Sequence, residues 1–440
     1  MHRQATDATR PPKLIGLLLL VLLPCTDAEG QPTQSIIAAE PGCGVCRVDL
    51  HRLADIGDQD DEGMIFSNWM ALFALRGERW ASMDAGDPGA IRVYGADGRF
   101  HHRVQARGQG PGEFMGVSHI LPAFEGYVLY DRALGRLNWV TEEVAFLRSE
   151  AFPTTALDMG VLSSGDLVYN AVLPTHAARG HFLHVADPRG EWRVAFGGDG
   201  SPVDLRAGHH VVERVIEVTT EDGIWSSRSD RYELEEYSAS GELLRVLTRD
   251  VPWFPPDGGA HIPSDPENQP PNPRIVSVTV DSGGLLWVLA HVAAPTWRAA
   301  IDNRSHRSAI PDQDRYLQSV IEVIDPGSGE LLSSARFPFA LRPIQMASQL
   351  RGEAVYFRAM ETAAGYRARV FRARLTRELG GMQSRTGIGI SSWRLWERSD
   401  SSSWGSKICT LKSPGINCAR LAITASGTCN MLRCSGVVSP

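Results

Sequence analysis

One unit recurs along this chain and restricts its fold more than any other feature. It consists of a Gly that opens a short apolar or aromatic strand, a second strand running into a Gly turn, and a third strand. The opening element reads Gly77-Glu78-Arg79-Trp80, Gly126-Tyr127-Val128-Leu129, Gly165-Asp166-Leu167-Val168, Gly223-Ile224-Trp225, Gly284-Leu285-Leu286-Trp287-Val288 and Gly352-Glu353-Ala354-Val355-Tyr356. The six copies are spaced by 49, 39, 58, 61 and 68 residues, close to the ~40–50 residues of a four-stranded propeller blade, with the excess in insertions. The expected fold is all-β, a six-bladed β-propeller over residues 43–376. Radial stacking explains why such sheets close into a ring, since it buries both faces of each sheet and leaves only short edges.

Hairpins are legible in most copies. Ile91-Arg92-Val93-Tyr94 turns at Asp97-Gly98, residues 181–185 turn at 187–190, residues 232–237 turn at Ser240-Gly241, and residues 320–324 turn at 325–329. Gly in these turns supplies the positive φ that tight hairpins need. Cys46–Ile56, in which Val48, Leu50 and Leu53 alternate with polar residues, precedes the first copy and is expected to pair into the last blade and fasten the ring. Two insertions lengthen the later copies. Residues 251–273 hold eight prolines, which cannot donate to a ladder and so form a surface excursion. Residues 291–315 extend the fifth copy. Long loops on a rigid scaffold are where function concentrates.

The two ends differ from the middle. Arg3, Arg10 and Lys13 lead into an apolar run at 14–23, and Thr26-Asp27-Ala28 offers small residues, the layout of an export signal over residues 1–28. The run is too short for ~30 Å of hydrocarbon, so no stable membrane span is expected after cleavage. Cys25 stands where a lipoprotein carries its acylated cysteine, but Pro24 occupies the small-residue position, and a periplasmic or extracellular product is preferred to an anchored one. Residues 381–440 carry +5 against −12 for the rest, hold four of the seven cysteines, and include a Ser-rich run at 399–406. This irregular basic tail reads as disordered, as a cystine-tied appendage, or as the product of a shifted reading frame. The overall charge of −7 leaves no electrostatic footprint for nucleic acid.

Six cysteines are left after Cys25, with 15 possible connectivities. For Cys43-Gly-Val-Cys46, haem attachment needs a His where Arg47 stands, a thioredoxin-type site needs a βαβ setting, and zinc needs two ligands from the distant tail. A small structural disulfide between Cys43 and Cys46 is expected.

Arg107-Gly108-Gln109-Gly110-Pro111-Gly112-Glu113-Phe114, following residues 93–100, resembles the bacterial six-bladed β-propeller family related to NHL-repeat proteins, as do the early paired cysteines and the acidic segment at 55–63. The resemblance covers about residues 43–375. It implies a passage from the first blade to the second at this motif, and it implies no chemistry, because fold analogy does not supply function.

Chemical candidates are weak. The 108–112 segment lacks the Lys and the following helix of a phosphate loop and is expected to be a turn, with Phe114 inward and Glu113 accepting turn hydrogen bonds. Asp58 could begin a calcium loop, but Trp69 stands where its bidentate Glu belongs. His101-His102 and His209-His210 are neighbours, which point to opposite faces of a strand. His119, His176 and His291 could converge from different blades. Ser118 lacks the Gly and the strand-to-helix turn of a nucleophile elbow. Trp80, Trp225 and Trp287 occupy equivalent positions and read as core, whereas Trp253 and Trp297 lie in the insertions and are the ligand-binding candidates. The expectation is therefore a monomeric, exported propeller that binds a protein, peptide or glycan, with no catalytic set, metal or cofactor. The alternative is a calcium- or zinc-dependent propeller hydrolase or lyase working at the axial channel.

Overall fold

A strand buried on both faces reads as a continuous apolar run, while one at the outer rim of a blade is open to solvent. The chain shows both kinds: Gly126–Asp131 and Leu167–Asn170 are buried at every position, whereas Phe146–Ala151 is exposed or half-buried throughout. In the computed structural model, the described residues are 31–57, 63–67, 70–123, 125–173, 178–201, 212–255, 259–301, 313–345, 355–361, 366–377, 408–410 and 420–422. They divide into two units, 1–381 and 382–440. The first unit is a six-bladed β-propeller.

Two strands, β1 (Thr33–Ile36) and β2 (Cys46–Ile56), come before the first blade. The blades are then β3 (Met70–Leu75) to β6 (Phe100–Gln105), with β4 (Arg79–Asp84) and β5 (Asp87–Tyr94) between; β7 (Val117–Ala123), β8 (Gly126–Asp131), β9 (Arg136–Val140) and β10 (Phe146–Ala151); and β11 (Asp158–Val161), β12 (Leu167–Asn170), β13 (Leu183–Ala186) and β14 (Trp192–Phe196). They continue with β15 (Arg214–Val218), β16 (Ile224–Arg228), β17 (Glu233–Tyr237) and β18 (Leu243–Thr248); β19 (Arg274–Val280), β20 (Leu286–Ala293), β21 (Leu317–Asp325) and β22 (Glu330–Phe337); and β23 (Leu341–Pro343), β24 (Val355–Glu361) and β25 (Arg367–Arg377). Each blade is antiparallel in chain order, and β2 supplies the fourth strand of the last. It pairs with β25 from Cys46 opposite Arg377 to Ile56 opposite Ala368. In the second unit, β26 (Ile408–Thr410) and β27 (Arg420–Ala422) form an antiparallel pair.

The period of two along each strand sends alternate side chains to opposite neighbouring blades. Tyr127 and Leu129 of β8 join the core shared with the first blade, while Val128 and Tyr130 join the core shared with the third. Six such cores occupy the six junctions, the last uniting Ala54 and Ile56 of β2 with Trp80 of β4 and Tyr356 of β24. The repeat is visible at one register position. The second residue of the second strand of each blade is Trp80, Tyr127, Val168, Trp225, Trp287 or Tyr356, and all six are buried.

Several expectations need correction or extension. The recurring unit covers strands two to four of each blade. The innermost strand has no common sequence signature, being as short and mixed as Asp-Met-Gly-Val in β11. The ring also takes in β1, which runs parallel to β18 outside the expected boundary. The insertion placed at 291–315 starts after Ala293, because residues 291–293 complete β20, and it ends in a helical turn, α1 (Gln313–Tyr316). His101 and His102 do not point apart. A β-bulge pairs Val93 with His102 and Tyr94 with Phe100, leaving His101 as the extra residue, and the two Nδ1 atoms lie 2.8 Å apart. The proposed export signal with Cys25, the acidic run at 58–62, His176, His209 and His210 lie outside the described residues.

The motif at 107–114 is a turn between the first and second blades, as expected. Phe114 is buried in their shared core, Gly110 N–H donates to Glu113 Oε2 at 2.6 Å, and Arg136 donates to the carbonyls of Gln109 and Gly110 at 3.1 and 3.0 Å. Gly98 shows why one hairpin needs glycine. Its φ is +83°, and a Cβ there would lie 2.3 Å from the Asp55 carbonyl of β2, at the closure of the ring.

Candidate functional site at the mouth of the axial channel

The innermost strands enclose a channel. Its central cavity, about 400 Å³, is walled by β7, β11, β15 and β19. On this wall Ser118 Oγ lies 3.0 Å from His119 Nδ1, and His119 Nε2 lies 3.4 Å from Asp158 Oδ1. Asp158 is otherwise occupied, since its Oδ2 accepts Ile216 N–H at 2.8 Å. His119 and His291 line separate cavities, and among the described residues no three His, Cys, Asp or Glu side chains are placed to hold a metal ion.

A second cavity of about 470 Å³ opens at one mouth of the channel. Its wall is built from blade and insertion together. Met70, Ala71 and Leu72 come from β3, Arg274 from β19, Arg342 from β23 and Arg358 from β24. The Pro-rich insertion contributes His261 and Ile262, and the other insertion ends at Tyr316. The Pro-rich segment has few donors for a ladder, so it is held by local bonds. Asn272 N–H donates to the His261 carbonyl at 3.0 Å, its Nδ2 to the Ala260 carbonyl at 2.7 Å, and His261 Nδ1 lies 2.8 Å from the Asn272 carbonyl. Both insertions thus reach the same rim.

The electrostatics of this mouth are unusual. Three guanidiniums, Arg274, Arg342 and Arg358, line the cavity, and among the described residues the lining carboxylate is Glu213, which pairs with Arg274. Arg358 is buried within an apolar run of β24 and donates one bond, from Nη2 to the Met70 carbonyl, while its Nε and Nη1 find no partner. Burial and then the Arg342 charge bring its pKa down to about 9. His261 falls to about 4, through burial and then Arg274. His291, whose Nε2 lies 2.6 Å from the Leu341 carbonyl, falls well below the ordinary value through burial and then Arg342. The rings of His261 and His291 are 6.4 Å apart, and both are neutral at pH 7. Around them Tyr316 Oη, Gln345 Oε1 and Arg274 Nε are also buried without a hydrogen-bond partner. Buried unpaired polar atoms cost ~1–3 kcal/mol each, so this concentration at one opening points to a surface completed by a ligand.

Neutral buried histidines have a pH consequence. His184 in β13 is also at about 4 through burial, its Nε2 lying 3.0 Å from the Ala171 carbonyl. The folded values lie below the ~6.5 of an unfolded imidazole, so the stability they contribute is full above about pH 6.5. It is lost as pH falls toward 4, because the unfolded chain takes up the protons first. Urea denaturation at pH 7, 6 and 5 is expected to show a loss of about 0.7 kcal/mol between pH 7 and 6 and about 1.2 kcal/mol between pH 6 and 5 for each such histidine. A flat profile over this range contradicts it.

The sequence-derived candidates are placed differently. Cys43 and Cys46 are joined by a disulfide with a Cα–Cα distance of 5.4 Å, at the start of β2 and away from the mouth's lining. Trp253 is half-buried. Its ring packs edge-on to Tyr232 and Phe254 at 6.1 and 5.8 Å, and Arg336 sits 5.6 Å above it. Trp297 is half-buried against Ala300, Tyr316, Leu317 and Ala340. Neither ring stands free on its loop. The groups that line the cavity, Arg342, Arg358, Tyr316 and Gln345, were not singled out by sequence. The one available signal was Arg358, a charge set in the apolar run Val-Tyr-Phe-Arg-Ala-Met of β24.

No protein-family model matches this chain, and no curated protein matches it. Among solved structures, it is similar to a member of the DUF4221 family from Bacteroides vulgatus, with a TM-score of 0.54 and 10% identity over 76% of this chain and 99% of that one. The likeness is one of fold. A putative exported protein from Bacteroides fragilis aligns with a TM-score of 0.47 at 11% identity, covering 79% of this chain and 99% of its own. Virginiamycin B lyase from Staphylococcus aureus aligns with a TM-score of 0.36 at 12% identity, covering 75% and 100%.

Proposed function

We propose that the chain is an exported, monomeric binding propeller, related to the NHL-like bacterial six-bladed group, that holds a peptide, protein or glycan ligand at the mouth of its axial channel. One observation carries the reading: a cavity of about 470 Å³ whose wall holds buried, unpaired polar atoms of Arg274, Arg358, Tyr316 and Gln345. Polar groups converging in a concavity that also offers apolar surface are the usual makeup of a ligand site. Export is supported by the layout of residues 1–28 and by the Cys43–Cys46 bond, a feature of oxidising compartments. Trp297 serves the site by backing Tyr316, and Trp253 by fixing the start of the Pro-rich loop.

The reading is tested on peptide and glycan arrays with the wild-type chain and with Ala71→Trp, which fills the mouth from the half-buried position of β3. Ligands retained by the wild type are expected to be lost by the variant while its melting temperature is kept. Equal retention by both, or loss of binding only on substitution of Trp253, places the ligand elsewhere.

A further inference from the structure

The mouth is polarised, and this narrows what it can hold. One part of the wall is apolar, from Met70, Leu72, Val215 and Leu317. Another part carries the guanidinium of Arg358, with Nε and Nη1 unpartnered, beside the Arg274–Glu213 pair. A neutral ligand would leave the buried Arg358 charge uncompensated, and a bare inorganic anion would leave the apolar wall wet. We infer that the mouth takes a carboxylate carried on an apolar group, the free C-terminal residue of a peptide, with the carboxylate on Arg358 Nη1 and the apolar side chain against β3. This rests on the mouth being the ligand site and adds which chemical group enters it.

Geometry and cost favour this occupant. A carboxylate offers two oxygens with about four acceptor positions, which suits several N–H and O–H donors converging from one side. Tyr316 Oη is the nearest candidate for a further donor, since it is buried, unpaired and on the same wall. His261 and His291 are neutral and contribute no competing charge at pH 7. A peptide fits better than an acidic sugar because, among the described residues, the cavity lining holds no Trp or Phe to serve as a flat platform, whereas it has aliphatic surfaces sized for one side chain. An unpaired buried guanidinium also destabilises the empty protein, the pattern of a group kept for binding rather than for folding.

The test uses the full chain and two matched probes, N-acetyl-leucine and N-acetyl-leucinamide, with inorganic phosphate and glucuronate as further arms, read by calorimetry and thermal shift. N-acetyl-leucine is expected to bind saturably and raise the melting temperature, and the amide to bind about 10- to 100-fold more weakly, the loss expected for one charge-assisted contact. Arg358→Met is expected to abolish the preference for the acid while melting no lower than the wild type. Tyr316→Phe, a smaller change, is expected to weaken the acid alone by about 5- to 10-fold. Equal binding of acid and amide, or phosphate or glucuronate binding as tightly as N-acetyl-leucine, overturns the inference. If acid and amide bind equally and both are lost in Ala71→Trp, the mouth is still the ligand site and only the carboxylate assignment fails. If neither binds and array ligands are indifferent to Ala71→Trp, the site itself is wrong.

Discussion

Replacing Glu322 with Ala is expected to lower the unfolding free energy by about 3–5 kcal/mol, among the largest single losses available in this propeller. Glu322 lies on β21 and is almost wholly buried beside an equally buried Arg249, which follows β18. Its two oxygens are used fully. Tyr232 Oη donates to Oε2 at 2.6 Å, Ser334 Oγ to Oε1 at 2.8 Å, and Arg249 Nη2 to Oε1 at 3.1 Å. Arg249 in turn donates to the Ala38 carbonyl and, at 3.0 Å, to that of Ala39. One carboxylate therefore ties the fourth blade, the fifth blade and the segment after β1. Removing it strands the Arg249 charge in a low-dielectric setting, which costs far more than the pair contributes when intact. The same argument predicts that Arg249→Met combined with Glu322→Leu recovers most of the loss. Urea denaturation at pH 7 measures both. A loss below about 1 kcal/mol for Glu322→Ala shows that the charge is relieved by water or by local rearrangement.

This network was invisible in the sequence, and the reason is general. Arg249 and Glu322 are 73 residues apart on different blades, and no spacing rule connects them. What sequence reasoning could reach was whatever repeats or acts locally. The Gly turns, the register of Trp80, Trp225 and Trp287, the interblade turn at 107–114 and the closing role of Cys46–Ile56 all follow from patterning over a few residues. The innermost strands escaped because they face the channel as well as their neighbours, so no single composition is imposed on them. The functional mouth escaped for the same reason. Arg358, Arg342, Arg274 and Tyr316 come from β24, β23, β19 and the end of an insertion, and only closure of the ring brings them together. The tryptophans of the insertions were legible as aromatic residues in loops, but not as rings packed on their own blades. That depends on the return path of each loop, which prolines leave to side-chain and backbone staples such as those between His261 and Asn272.

The seam where the ring closes is the second place where a single change should matter greatly, and there the effect should also be kinetic. Trp80 is fully buried at the junction of the last and first blades, with Tyr356 edge-on at 5.8 Å and Ala54 and Ile56 of β2 in the same core. Trp80→Ala removes the largest side chain of that core and is expected to cost about 3–5 kcal/mol. Every other junction joins blades that follow one another in the chain. This one depends on β2 meeting β25, and its partners Arg47 and Thr376 are 329 residues apart. Contacts between such distant segments bear the greatest loop-closure entropy and are expected to form late, after the other blades have stacked. A residue whose contacts form after the transition state changes unfolding rather than folding. Trp80→Ala should therefore unfold about 10²-fold faster, the rate equivalent of about 3 kcal/mol, with a folding rate close to that of the wild type. Stopped-flow folding and unfolding in urea separates the two limbs. A variant that instead folds about 10²-fold more slowly, with an unchanged unfolding rate, would show that the seam nucleates the ring rather than closing it.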